Sequence, residues 1–470
     1  MKKALLGTFS LLISCAVATR GQTSADEHTQ RIAWEPYQDR AVRLLQEYLR
    51  IDTSNPPGNE LKAAEFFLRL FDEAGVPNTV YPYAPGRADI YAVLKGDGSQ
   101  RPLVLLNHMD VVQATPSSWR VPPFSGEILD GEIYGRGSLD MKDEGLMQAM
   151  VMMIAAQQHL SLNRDLIFLA TSDEEVGDTG SAWILEHHPE LVRDAEYLIT
   201  EGGSNLILPG QGTVYGIGVA EKVPFWIRLT AHGRGGHGSI PIADSATVRL
   251  VRALGRVVDW NQPVRLLPTV EEYFHAVARL QPEPRASQYR TIRSALDNPD
   301  FVKSLMDDEN FAYLLHDTVS LTVLQGGPQT NVIPDAASAE LDVRLLPGSD
   351  PEEFLRALRK VVADDQIAVE PLGRYRRPNA SSTDTALYRA IEQVVHRYNA
   401  LALVTPTLNS GYTECQMYRT LGLTCYGFAP IELTPQLEAT EHAPNERVPV
   451  EQVRRGVRVL YEVVAELTSR

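Results

Sequence analysis

Apolar residues recur three and four positions apart from Tyr37 to Ile51, with Val42, Leu44, Leu45 and Tyr48 on one side. This spacing predicts an amphipathic helix. Asn55-Pro56-Pro57-Gly58 breaks it, and Leu61 to Ala74 reads as a second helix. Ile90–Leu94, Leu103–Leu106, Leu166–Thr171 and Tyr197–Thr200 are short runs dominated by apolar residues, the pattern of strands covered on both faces. A long helix rich in Met and Ala, Met141 to His159, lies between the second and third runs. Helices alternating with such strands imply an α/β domain with a mainly parallel sheet.

The pattern changes near Gly218. Phe225 to Thr230 alternates apolar and polar residues, as do Ser320 to Leu324 and Ala339 to Leu345. That is the habit of antiparallel strands with one face in water. Helical stretches accompany them at Ala246–Val258 and Pro351–Ala363. The segment 219–370 therefore reads as an α+β insert. Thr383–Tyr398 and Val450–Leu467 read as helices returning to the first domain, which spans 30–218 and 371–470. A chain of 470 residues exceeds what one hydrophobic core usually serves, in keeping with two domains.

A net charge of −16, with no long Lys/Arg run, argues against nucleic acid or an anionic membrane surface as partner. Lys2 and Lys3 precede the apolar run Ala4–Ser14, which is too short to span a bilayer and reads as an export signal of about residues 1–20. Ala16-Val17-Ala18 fits a cleavage site, whereas Leu12-Ile13-Ser14-Cys15 resembles a lipobox that would make Cys15 a lipid anchor. The expected location is therefore periplasmic or secreted, free or as a lipoprotein. Beyond the signal no segment is apolar enough for a transmembrane helix. Cys415 and Cys425 remain in the mature chain, either as a disulfide or as two buried thiols.

Five segments place acids or histidines in loops, most of them at strand ends. Asn107-His108-Met109-Asp110 follows one strand, and two residues apart in a strand face one way. Gly135-Arg136-Gly137-Ser138-Leu139-Asp140 precedes the long helix, where Asp140 taken alone reads as an N-cap. Ser172-Asp173-Glu174-Glu175 puts three acids in a row, which is either a solvated loop or a cation site. Glu201 follows Thr200, and Glu441-His442 lies near the C-terminus. Ends of parallel strands share one rim, where α/β folds build their sites. One Asp, two Glu and two His suit zinc, which takes nitrogen and carboxylate oxygen.

In this order the segments resemble the family of acetylornithine deacetylase, succinyl-diaminopimelate desuccinylase, aminoacylase and glutamate carboxypeptidase, from about residue 37 to the C-terminus. The resemblance implies a zinc-peptidase catalytic domain carrying two Zn²⁺ per chain, with Co²⁺ or Mn²⁺ as substitutes, and an inserted lid and dimerisation domain. It implies that Asp140 bridges the metals, that His108 and Glu201 complete one site, and that Glu175 and His442 complete the other. Glu174 is then the general base and Asp110 orients His108. A cis bond after Asp140 is also implied. His237, in Gly235-Gly236-His237-Gly238-Ser239, matches a lid histidine that steadies the oxyanion, in many relatives across a homodimer. Asn331 and Arg344 match lid positions that bind a substrate carboxylate, for which an Arg fork is apt.

Two features depart from the common family pattern. Gly411-Tyr412-Thr413-Glu414 stands where Gly-Gly-Thr-Asp is usual, and residues 263–318 lengthen the lid with Tyr273, Phe274, Phe301, Phe311 and Tyr313. The long lid resembles the carboxypeptidase S and N-fatty-acyl amino acid hydrolase branch. Expected substrates are small peptides or N-acyl amino acids, cut beside a free carboxylate. A non-catalytic binding protein of the same fold would lack a base or ligand, and none is missing. An aminopeptidase would need acids to hold an amine, whereas Arg344 points to a carboxylate.

Overall fold

A computed structural model describes residues 28–308, 310–373 and 375–469. The expected signal segment, with Cys15, lies outside the described residues.

The central sheet runs Asn78–Ala84, Arg87–Leu94, Leu166–Thr171, Leu103–His108, Tyr197–Thr200, Thr424–Gly427, Gly212–Glu221, Leu403–Asn409, with Ser204–Leu208 beside Gly212–Glu221. The sheet is mixed. Its middle, from Leu166–Thr171 to Thr424–Gly427, is parallel, while Arg87–Leu94 and Gly212–Glu221 run antiparallel to their inner neighbours. Leu103–His108, Leu166–Thr171 and Tyr197–Thr200 therefore end on one edge, and each is buried throughout.

Alternation along these strands feeds two cores. Leu103, Leu105, Phe168 and Ile199 pack on one face, and Val104, Leu106, Ile167 and Leu198 on the other. The helix Lys142–Gln157 is buried on all sides through Ala155. It packs on the sheet and against the helices Trp34–Leu49, Glu60–Ala74 and Val450–Thr468. A helix apolar all round has that place in a fold.

The five-stranded sheet of the insert is antiparallel, joining Val223–Pro224, Ala336–Leu345, Ile227–His232, Ile367–Pro371 and Thr318–Gln325. Every second residue of Ala336–Leu345 is buried. These residues form a separate core with the helices Ala246–Val258 and Pro351–Val362. The segment between behaves differently. Val270, Phe274, Tyr289, Phe301 and Leu305 join the core of the central sheet, with Pro268–Val277 packed on Leu403–Asn409. The residues of 219–370 thus divide between two cores, and the long addition forms a helical lobe over the catalytic sheet. Cys415 and Cys425 form a disulfide with Cα atoms 5.6 Å apart. No helix among the described residues is long and apolar enough to cross a membrane.

Candidate active site

The carboxyl edge of the parallel strands gathers the acids and histidines. His108 ends its strand, with Nε2 3.0 Å from Asp140 Oδ1 and 3.5 Å from Glu201 Oε2. His442 presents its Nε2 2.8 Å from Asp140 Oδ2 and 3.4 Å from Glu175 Oε1. The two oxygens of Asp140 thus face different imidazoles, one in each of two three-residue clusters that share it. His442 reaches this point from a left-handed backbone, φ 56°, uncommon outside glycine. The Asp140–Met141 bond is cis.

Several groups hold this arrangement. The Asp110 carboxylate accepts the backbone N–H of Glu174 at 3.1 Å, that of Glu175 at 3.2 Å and Asn55 Nδ2 at 2.8 Å. It also lies 3.6 Å from His108 Nδ1, whose closer partner is the Asp110 carbonyl at 3.0 Å. Asp173 turns the chain before Glu174 with φ 70° and is anchored at 2.7 Å by both Asn55 and Arg87. Glu446, fully buried, accepts the backbone N–H groups of Gly137, Leu139 and Asp140 and pairs with Arg136, so it fixes the loop that presents Asp140. Gly427 lets its strand approach the turn after Thr200, because a Cβ there would collide with the Glu201 carbonyl.

The electrostatics call for positive charge. Burial lowers the affinity of His108 for a proton, but Glu201, Asp110 and Asp140 outweigh it and raise the pKa well above the usual range. Asp140, followed by Glu175, pushes His442 up to about 11. Burial, then Glu201, drives Glu174 well above an ordinary carboxyl, and burial, then Asp140, does the same to Glu201. Burial, Asp140 and Glu441 push Glu144, beside this cluster, up to about 8. Two nitrogens and three carboxylates converging in this way fit a pair of metal ions: His108, Asp140 and Glu201 would hold one, and Asp140, Glu175 and His442 the other.

The cluster opens into a cavity of about 1380 Å³ lined by Asp140, Glu174, Glu175, Glu201 and His442, and by Arg344 of the insert. Arg344 gives Nε and Nη2 to Asp342, at 2.7 and 3.1 Å. His237 and Asn331 are not brought there. They are exposed together at the tip of the insert, where Gly238 N–H donates to the Asn331 carbonyl at 2.7 Å and His237 Nδ1 meets Ser239 Oγ at 2.7 Å. The supporting residues Asn55, Arg87 and Glu446 are additions of the structure, and Asp173, one of the three successive acids, is paired with Arg87 rather than with a metal cluster. In the sequence Asn55 belongs to a helix-breaking turn, Glu446 lies four residues after His442 with no motif of its own, and Arg87 has no signal.

The chain matches Peptidase family M20/M25/M40 over residues 104–466. It is 27% identical over 390 residues to human N-fatty-acyl-amino acid synthase/hydrolase PM20D1, covering 80% of this chain and 76% of the relative. To Dictyostelium discoideum Aminoacylase-1 it is 24% identical over 435 residues, 91% of this chain and 97% of the relative. The fold is that of the M20 family metallo-carboxypeptidase Sso-CP2 from Sulfolobus solfataricus, at a TM-score of 0.71 and 20% identity, covering 91% of this chain and 99% of that one. With the match spanning most of the chain, this protein belongs to the M20/M25/M40 peptidase family and is a hydrolytic enzyme.

Proposed function

We propose that this enzyme is an exported zinc hydrolase that cleaves the amide bond of small peptides or N-acyl amino acids beside a free carboxylate. The observation that carries the reading is Asp140, whose oxygens each face an imidazole, at 3.0 and 2.8 Å, with Glu174 in the same cavity. When bound, two cations would polarise the scissile carbonyl and acidify water.

The chain's own residues supply the rest. Glu174 lines the same cavity without belonging to either metal cluster, which suits a group that takes a proton from water and returns it to the departing amine. Asp110 fixes the backbone of Glu174 and so the place of that transfer. Arg344 lines the cavity, and its bonds to Asp342 leave Nη1 for a substrate carboxylate. Leu206, Val214, Val270, Tyr273, Leu314 and Leu433 form apolar parts of the lining, which would shelter an apolar side chain or acyl group. His237 would reach the scissile bond by closure of the insert or from a second copy in a homodimer formed through it.

The test is an assay over dipeptides and N-acyl amino acids, with metal removed and then zinc restored. Zinc-dependent release of a free amino acid is expected. Hydrolysis of esters or amides alone, with free-acid substrates untouched, would contradict the proposal.

A further inference from the structure

One wall of the cavity carries acids that the two metal clusters do not use. Glu144, in the first turn of the helix Lys142–Gln157, lines the cavity together with Glu438 and Glu441. Glu144 is only 5% exposed, and its Oε2 is buried with no hydrogen-bond partner among the described residues. Glu438 accepts from Ser204 Oγ, and Glu441 is exposed beside His442. A buried carboxylate without a partner is costly unless a donor or cation meets it. Two dications would balance Asp140, Glu174, Glu175 and Glu201 and leave Glu144, Glu438 and Glu441 over. The helix N-terminus favours a negative charge at Glu144 but lends it no side-chain donor. Arg344 and Arg376 line the same cavity, so the cavity offers both signs of charge.

We infer that Glu144, with Glu438 and Glu441, forms a subsite for a primary ammonium group on the acyl half of the substrate. This inference rests on the amide-hydrolase reading and narrows it: the substrate carries a carboxylate on the leaving amino acid and an amine on the acyl side. An ammonium has three donors and fits a wall of carboxylates. The amine comes either from the α-position of a peptide or from the end of a longer side chain.

The test compares matched substrates in the metal-loaded enzyme. Alanyl-leucine and propionyl-leucine differ by the α-amine; 6-aminohexanoyl-leucine and hexanoyl-leucine differ by a distal one. The pair with the larger kcat/KM ratio identifies the source of the amine. That ratio should be roughly 10–200-fold in favour of the amine, the range for a hydrogen-bonded charge. In Glu144→Gln the ratio should fall towards one. Calorimetry with the same pair on metal-loaded Glu174→Gln protein gives a reading independent of turnover, and the amine-bearing ligand should bind tighter. If neither pair shows a preference in the parent enzyme, or if Glu144→Gln leaves the preference intact, the subsite is wrong. A metal content above two per chain that falls in Glu144→Gln would show a cation site instead and overturn the inference. If Glu144→Gln fails to fold, Glu144→Asp, which keeps the charge but withdraws it from the cavity, should lower the ratio, and an unchanged ratio would overturn the inference. Failure to hydrolyse any of the four substrates would instead sink the amide-hydrolase reading.

Discussion

Asp110 accepts the backbone N–H of Glu174 at 3.1 Å, although the two residues are 64 positions apart. The same carboxylate takes the Glu175 N–H and the Asn55 amide. One buried acid thus sets the turn that presents both the proposed base and a proposed metal ligand. Asp110→Asn keeps the shape but turns an N–H towards another N–H. It should lower metal affinity by roughly 10–100-fold, as is usual when a partner of a ligand is lost. Titration of the apo-enzyme with zinc measures this, and unchanged affinity and turnover would refute the role.

Glu174 and Glu175 are neighbours with different surroundings. Glu175 lies 3.4 Å from His442, whereas Glu174 belongs to neither cluster. Glu174→Gln should retain two metals and lose roughly 10²–10⁴-fold in kcat, as for a lost general base. Glu175→Gln should instead lose metal. Equal metal loss in both variants would contradict the division.

Arg344 should distinguish free acids from amides. A charge-assisted bond is worth about 1.5–3 kcal/mol, so Arg344→Ala should cost roughly 10–200-fold in kcat/KM on free-acid substrates. Leucine amides should be affected less, and metal content should not change. An equal loss on both would remove the carboxylate assignment.

Glu414 links pH to stability. It is fully buried, accepts from Thr171 Oγ1 at 3.0 Å, and burial pushes its carboxyl up to about 7. The folded pKa exceeds the unfolded one, so the folded state holds the extra proton. Stability should therefore fall as pH rises from about 4.5 to 7, by roughly 2–4 kcal/mol from this group, and then level off. Thermal melts across that range should show the fall, and Glu414→Gln should flatten it. The same slope in parent and variant would refute the assignment.

The sequence made the inner strands legible because they are short apolar runs bounded by polar residues. Leu166–Thr171 and Tyr197–Thr200 have the same limits in sequence and structure. Gly212–Glu221 and Leu403–Asn409 carry no such signature. Gly216 and Gly218 interrupt the first, and Gly218 is needed because a Cβ would strike the Gly202 carbonyl. Pro406 interrupts the second, which tolerates it because Leu403–Asn409, at the edge of the sheet, pairs among the described residues with Gly212–Glu221 alone. The helical lobe around Phe274 and Phe301 was visible as apolar residues but not as a partner of the central core, since periodicity does not say which surface a helix covers. For the same reason the ligand segments could be named from their motifs, whereas Asn55, Arg87 and Glu446 acquire their roles only through partners distant along the chain.

The central claim is that Asp140 joins two metal sites, and metal stoichiometry tests it most directly. Elemental analysis of purified active protein should give two metal ions per chain. Asp140→Asn should bind neither tightly, and chelation should abolish turnover until zinc is restored. Full activity in protein shown to be metal-free, or two tightly held ions in Asp140→Asn, would contradict the account.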